Sequence, residues 1–563
     1  MQLKISTRLV LLALLALSLA LVAAQDATLI AKPNAATATT EHNAHDAAHA
    51  RDKYADPGHE TESEIADTTA AGAAAAAADA RGGDTPPPPA STDSDGVRDH
   101  GRGVVLRVAI VGGGIGGSLC GRLTSYLVNG TVVEFGGAIF HETNSIIDTI
   151  RSEYGLQRVK AFDDDGFGVW NGTHFAVRAT DLSLWTKLEL LWRYRFAPVY
   201  AQWESQSFLR SFKKLYKTPF HSVEELLDIA KIDPLARVSM ADWLKTHKYN
   251  KQFGTELVEG ATRINYGQNL HMSALGAWVS LVGSEDSVYA VVNGNEQLCY
   301  KIAGIDHAPV QASAGIPTGT LPPVTSGKLQ TVRTATVRAI SSRPNGRYSV
   351  TYERGGHTVQ STFDAVVIAT PLVSTATNIT FEAIDLPPST SQRRPYQRTF
   401  VTIVHGEVNP AYFGLETPRQ LPATVITTEP QSNAPVAPAE PNSISGVTTS
   451  QLPFTSFSLL HRRDNVTSDG TRFEGVYKFF SPVELSAAQI APVFRVVRDV
   501  FRKNFAAYPI LSPTPSETPF PSIRVQKGLY YLNAIESAAS AMEMEALSAR
   551  SIAKMIEEDF LKW

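Results

Sequence analysis

Cysteine is scarce: the 563 residues include two, Cys120 and Cys299. That excludes a disulfide-scaffolded fold and a cysteine-based zinc site, and leaves either one bridge or two buried thiols. Long apolar runs are also wanting. The most extended, LVLLALLALSLALV near the N-terminus, is shorter than the roughly 20 residues of a bilayer span. No lysine- and arginine-rich run marks a nucleic-acid surface, and the net charge is −4. There is no G-K-[ST] phosphate loop, no H-E-x-x-H pair and no cluster of metal ligands, and Ser118 in GGSLC lacks the closing glycine of a nucleophile elbow. What remains is an ordinary globular composition, 43% apolar and 19% charged, in a chain long enough for two domains or one large enzyme fold.

Residues 1–24 read as a secretory signal: Lys4 and Arg8 precede the apolar run, and small residues precede Gln25. A retained anchor is the alternative; with cleavage, no stable membrane span is expected. Sequons at Asn129, Asn171, Asn378 and Asn465 agree with an exported glycoprotein in the lysosome, the vacuole or the extracellular space. Residues 25–103 mix an alanine tract, a proline run and small polar residues. Such a segment cannot bury enough apolar surface to offset its ordering entropy and reads as a disordered leader.

Order is expected from about Val104. VVLRVAIV is a buried strand, residues 182–245 carry apolar residues at helical spacing, and Ser222 with Glu225 forms a capping box. Strands separated by turns at Asn345-Gly346 and Gly355-Gly356 fill 329–370. A Pro- and Ser/Thr-rich surface loop occupies 430–450, and the C-terminus from Asn533 reads as one long helix.

Gly112, Gly114 and Gly117 follow the strand VAIV in the G-x-G-x-x-G spacing. Glycines there permit a tight turn, close approach of a pyrophosphate, and packing of a helix whose N-terminus faces the phosphates. Two readings of the next residues compete. In one, a short helix leads to TVVEF as second strand, and Glu134 is the ribose-binding acid. In the other, RLTSYLV-NG-TVVEF is a hairpin about Asn129-Gly130, and the first helix and second strand are missing.

The motifs VGGGIGGS (111–118), CGRLTSYLVNGTVVEFGGAIFH (120–141), VVNGNEQL, FDAVVIATPL, VHGEVNPAYFGL and LYYLNAIESAASAMEMEA occur in the order in which the prenylcysteine oxidase (prenylcysteine lyase) family carries them. The chain from Val104 onward resembles that family, and the resemblance favours the hairpin. Between its first two landmarks the family has roughly two dozen more residues, including the ribose acid; here Ser118-Leu119 fill the interval.

The resemblance implies an amine-oxidase-like α/β flavoprotein. A Rossmann-like FAD domain (104–155, 290–385, 520–563), lacking its first helix and second strand, would join a mixed α+β substrate domain (156–289, 386–519). It implies non-covalent FAD and oxidation of the prenylcysteine thioether by O2 and water to cysteine, a prenyl aldehyde and hydrogen peroxide. Cofactor contacts would come from Gly112, Gly114, Gly117, Arg122, Gly136, Gly137, Val337, Thr370 and Glu536. Substrate- or flavin-side candidates are His141, Tyr266 and Gln268, and no catalytic residue is assigned. Val337 could equally be strand core, Thr370 a strand end, and Glu536 a first-turn acid. The aromatic helices over 182–216 form either a prenyl cleft or plain core. The missing segment leaves two other readings open: a secreted glycoprotein on this fold with impaired or no FAD binding, or a gene model lacking those residues.

Overall fold

The computed structural model describes residues 106–112, 121–128, 130–161, 166–180, 184–284, 287–302, 311–312, 335–373, 377–391, 394–428, 452–465 and 472–561. The expectations for the signal, the leader, Gly114, Gly117, Cys120, Asn129, the 430–450 loop and the side chain of Asn465 lie outside them. In chain order the elements around the site are β1 (Val108–Val111), β2 (Thr124–Val128), β3 (Thr131–Gly136), β4 (Phe140–His141), α1 (Leu184–Tyr194), α2 (Ala197–Phe212) and α3 (Glu259–Tyr266). Then follow β5 (Ala365–Ile368), β6 (Tyr396–Val408), β7 (Arg472–Ser481), β8 (Phe494–Pro509), β9 (Arg524–Gln526), β10 (Leu529–Tyr531) and α4 (Met542–Phe560).

Short aliphatic strands build a parallel sheet in the order β1-β5-β10, with β9 antiparallel on the far edge. Val108 stands opposite Ala365, and Val366 opposite Leu529. Strand β5 (AVVI) is buried at every position, as a strand covered on both faces must be. Strand β1 differs: Val111 is buried, but Val108 and Ile110 remain 36% and 47% exposed. Among the described residues nothing pairs with its outer side. Eight residues separate Gly112 from Gly121, whereas a crossover to a neighbouring parallel strand takes a dozen or more. Among the described residues the sheet stops at β1.

The hairpin reading holds. Strands β2 and β3 pair antiparallel from Thr124–Gly136 to Val128–Thr131, and Gly130 takes φ 78° in the turn. This overturns Glu134 as the ribose acid, because β3 is not the second strand of the parallel sheet. Three other expectations change. The C-terminal helix starts at Met542, after a 3-10 turn over Leu532–Ser537. The capping box is half made: Ser222 accepts from the Glu225 N–H, but the Glu225 carboxylate accepts from the N–H of His221. Cys299 is disulfide-bonded, which removes the two-thiol alternative.

A mixed seven-stranded sheet holds β8, β6 and β7 side by side. Strand alternation sends Tyr477 and Phe479 of β7 into an aromatic core with Trp170, Phe413 and Phe457. The ring centroids of Phe457 and Phe479 are 4.8 Å apart; each such ring removes about 150–250 Å² from water. Val476 and Phe480 point the other way, against Val128, Val133 and Phe135 of the hairpin. Lys478 lies between them and is buried under that hairpin.

Candidate active site

Beyond the carboxyl ends of β1 and β5 lies a cavity of about 900 Å³. Both its size and its place suit a cofactor site in a parallel sheet. Its walls come from Thr370 and Pro371 after β5, Arg122 and residues 134–141 of the hairpin segment, Asn533 and Glu536 of the 3-10 turn, Glu545 of α4, and Phe208, Leu209 and Phe212 of α2. Gly112 turns at the end of β1 with φ +118°, and a Cβ there would stand 2.4 Å from the carbonyl oxygen of Ala369. No other residue fits that approach. Gly136 and Gly137 serve the hairpin's own packing: a Cβ on them would meet Arg122 O at 2.6 Å and Leu123 at 2.8 Å.

One end of the cavity carries a buried ionic cluster. Arg122 pairs with Glu536, donates to Ala507 O at 2.6 Å, and stands 3.8 Å from Glu545. Tyr396 and Ser540 also donate to Glu536, and Asn533 Nδ2 donates to Glu545 at 3.4 Å. Burial pulls the guanidinium down, but the two carboxylates outweigh it and hold it above its ordinary value. Burial also pushes Glu536 up, and Arg122 reverses the sign, keeping it below the usual carboxylate range. Burial, with Glu536 beside it, raises Glu545 well above that range. The two carboxylates therefore titrate as a pair, with Arg122 favouring the charge on Glu536 and burial favouring the proton near Glu545.

A second network fixes the hairpin. Glu134 accepts from Ser125 Oγ at 3.0 Å and from the Asn295 N–H at 2.6 Å, while Asn295 Nδ2 donates to Gly137 O at 2.7 Å. Burial raises Glu134 to about 8. Lys478 Nζ donates to Glu134 O at 3.3 Å and lies over the Phe480 ring, and burial lowers it to about 8. Glu134 is thus neutral and Lys478 mostly charged at pH 7. Glu543 of α4 caps the helix Ser145–Glu153, accepting from the N–H groups of Ile146 and Ile147.

Of the other sequence candidates, His141 lines the cavity, and its Nδ1 accepts from the Thr143 N–H at 3.2 Å. Tyr266 also lines it, donating to Ser540 O at 2.7 Å. Gln268 is buried with both ends taken, by Pro509 O and the Leu511 N–H, and is no part of the wall. Val337 pairs with Tyr352 and packs against the main core, away from the cavity. The sequence reading missed Lys478, Glu545, Asn533 and Tyr396. Only Lys478 carried a local sign, a charge inside the alternating strand GVYKFF. The others join the Arg122 cluster from far along the chain, Glu545 beside Arg122 and Tyr396 and Asn533 through the two carboxylates.

The ring-side walls fit a flavin. Asn533 Oδ1 is buried without a hydrogen-bond partner on this wall, an acceptor suited to a ligand N–H or O–H. Thr370 and Pro371, which follow β5, bound the same space, and Gly112 packs against Ala369 and Thr370 behind them. The adenosine side fits less well: among the described residues no strand beyond β1 brings an acid to the ribose position.

The sequence profile described as Prenylcysteine lyase matches residues 177–562. Prenylcysteine oxidase 1 of Homo sapiens is 29% identical over 479 residues, covering 79% of this chain and 88% of its own length. Prenylcysteine oxidase 1-like of Bos taurus is 27% identical over 492 residues, 81% of this chain and 91% of its own. A triple mutant of putrescine oxidase shares the fold, with TM-score 0.50 at 13% identity over 80% of this chain and 99% of its own. The chain belongs to the prenylcysteine lyase family and is, by that membership, a flavin-dependent oxidoreductase.

Proposed function

We propose that this protein uses FAD and O2 to oxidise the thioether of prenylcysteine in the breakdown of prenylated proteins. One water and one O2 are consumed, the carbon–sulfur bond is cleaved, and cysteine, a prenyl aldehyde and hydrogen peroxide are released. The observation that carries this reading is a single cavity joining the backbone at Gly136, Gly137 and Thr370 to the apolar wall of Phe208, Leu209 and Phe212. An isoprenoid chain suits that wall. Bound FAD supplies the two-electron acceptor. Arg122, Glu536 and Glu545 lock the hairpin to the C-terminal segment and so keep the glycine backbone on the wall. Lys478 places a positive charge on the same wall below its value of about 8.

A second reading, impaired FAD binding on an intact fold, is favoured by the uncovered edge of β1. Both are tested by purifying the full chain, recording its visible spectrum and measuring peroxide release with farnesylcysteine. Flavin bands and peroxide support the oxidase. A folded, colourless protein retires it for this chain. We further propose an acidic lumen such as a lysosome or vacuole, reached through the signal at 1–24. Burial raises Glu134, Glu296, Glu543 and Glu545, and acid keeps such groups in the neutral form the fold prefers.

A further inference from the structure

We propose that α1 and α2 form a docking face for anionic phospholipid bilayers. Trp192, Phe196, Val199, Tyr200 and Trp203 are all exposed, Trp192 at 77% and Trp203 at 66%. Phe196, the N-cap, and Val199, Tyr200 and Trp203 follow at helical spacing along one side of α2, and Trp192 stands at the end of α1, before the left-handed break at Arg195. The inward side of α2 is already satisfied, with Ala197, Ser205, Phe208 and Leu209 buried. The outward aromatics thus contribute nothing to the core, and a contiguous patch of this kind marks an interaction surface.

Charge selects the partner. Between Thr186 and Lys217, among the described side chains, the exposed cations are Arg195, Arg210, Lys213, Lys214 and Lys217, and the one exposed acid is Glu189. This basic stretch belongs to a chain of net charge −4, and exposed cations outnumber exposed acids along the segment that carries the aromatic residues. Tryptophan and tyrosine with flanking lysine and arginine are the residues that settle at a headgroup boundary, rings toward the acyl chains and cations toward phosphate. Arg195 already lies over the Trp192 ring, 5.3 Å from its centroid. A second copy of the chain is a poorer occupant, because a two-fold contact would set the same cations against each other. No helix among the described residues is long and apolar enough to cross a membrane, so this contact lies in the interfacial plane.

The opposite, inward side of the same segment reaches the active site: Phe208, Phe212, Lys213 and Tyr216 line the cavity. Docking here would bring an apolar substrate from the bilayer to the cavity wall. That purpose rests on the proposed function, whereas the docking itself does not.

The test is flotation of the full chain with vesicles of phosphatidylcholine alone and of phosphatidylcholine containing phosphatidylserine. The wild type is expected to float with the anionic vesicles, with a blue shift of tryptophan emission and weaker binding at high salt. W192S/W203S should lower the affinity on the order of tenfold, with unchanged thermal stability because both side chains are exposed. R210Q/K214Q/K217Q should remove the preference for phosphatidylserine. Wild-type protein that stays below both vesicle types, or a tryptophan variant that floats equally well, overturns the proposal. So does a dimer that W192S/W203S converts to monomer, which would assign the face to a second copy. Peroxide release with farnesylcysteine is measured on the same samples. Flotation without turnover counts against the oxidase reading alone, and turnover without flotation counts against the docking face alone.

Discussion

The two ends of the cavity are built to different standards. At the hairpin end, Arg122, Glu536, Glu545 and Tyr396 come from separate parts of the chain and satisfy one another, the carboxylates buried and Arg122 partly buried. At the β1 end, the sheet among the described residues stops at a four-residue strand whose Val108 and Ile110 are partly exposed. A complete dinucleotide-binding unit would continue past β1 with a second strand and its acid. The ring side can thus keep its geometry without the ribose side, because each draws its support from different neighbours. The hairpin is held by β7, β8 and α4.

The largest effect is expected where that contrast is sharpest. Replacing Arg122 by methionine leaves Glu536 and Glu545 buried without their cation and should cost about 3–5 kcal/mol, read as a fall in urea midpoint. Gly112→Ala is next. Its φ of +118° and the 2.4 Å approach to Ala369 make a cost of about 1–3 kcal/mol the expectation, with loss of bound flavin after gel filtration. Glu134→Gln should act through pH. The folded group holds its proton up to about 8, against 4.5 when unfolded, so its stabilisation is full below 4.5 and lost as pH rises toward 8. The variant should melt with the wild type near pH 4 and outlast it progressively above pH 5, by differential scanning fluorimetry. The smallest effect is expected from Ile110→Lys, within about 0.5 kcal/mol, as for an exposed surface site. A cost several times larger would show that the β1 face is covered and would end the comparison.

Much of the fold was legible. The glycine after VAIV, the strand FDAVVIATP, the turns at Gly346 and Gly355-Gly356 and the helices after residue 182 all appear where local pattern puts them. Periodicity and turn chemistry are local, and neighbours along the chain suffice to express them. The motif order also separated the hairpin from the false ribose acid at Glu134, which local pattern alone left open. The ionic cluster was not legible. Arg122 and Glu536 were each named as cofactor contacts, yet in the structure their principal partners are each other. Gln268 looked like a site residue but is consumed by the backbone at Pro509 and Leu511.

By itself the sequence determined the elements and their order. Its motif order also favoured a hairpin over a helix and returning strand after Gly112. Chain length and residue spacing act before any folding, so no packing can reverse them. Only the tertiary structure decided which charges meet. Arg122, Glu536 and Glu545 lie more than four hundred positions from one end of the cluster to the other. Their protonation is set by burial and by one another, and neither exists until the hairpin, the 3-10 turn and α4 come together.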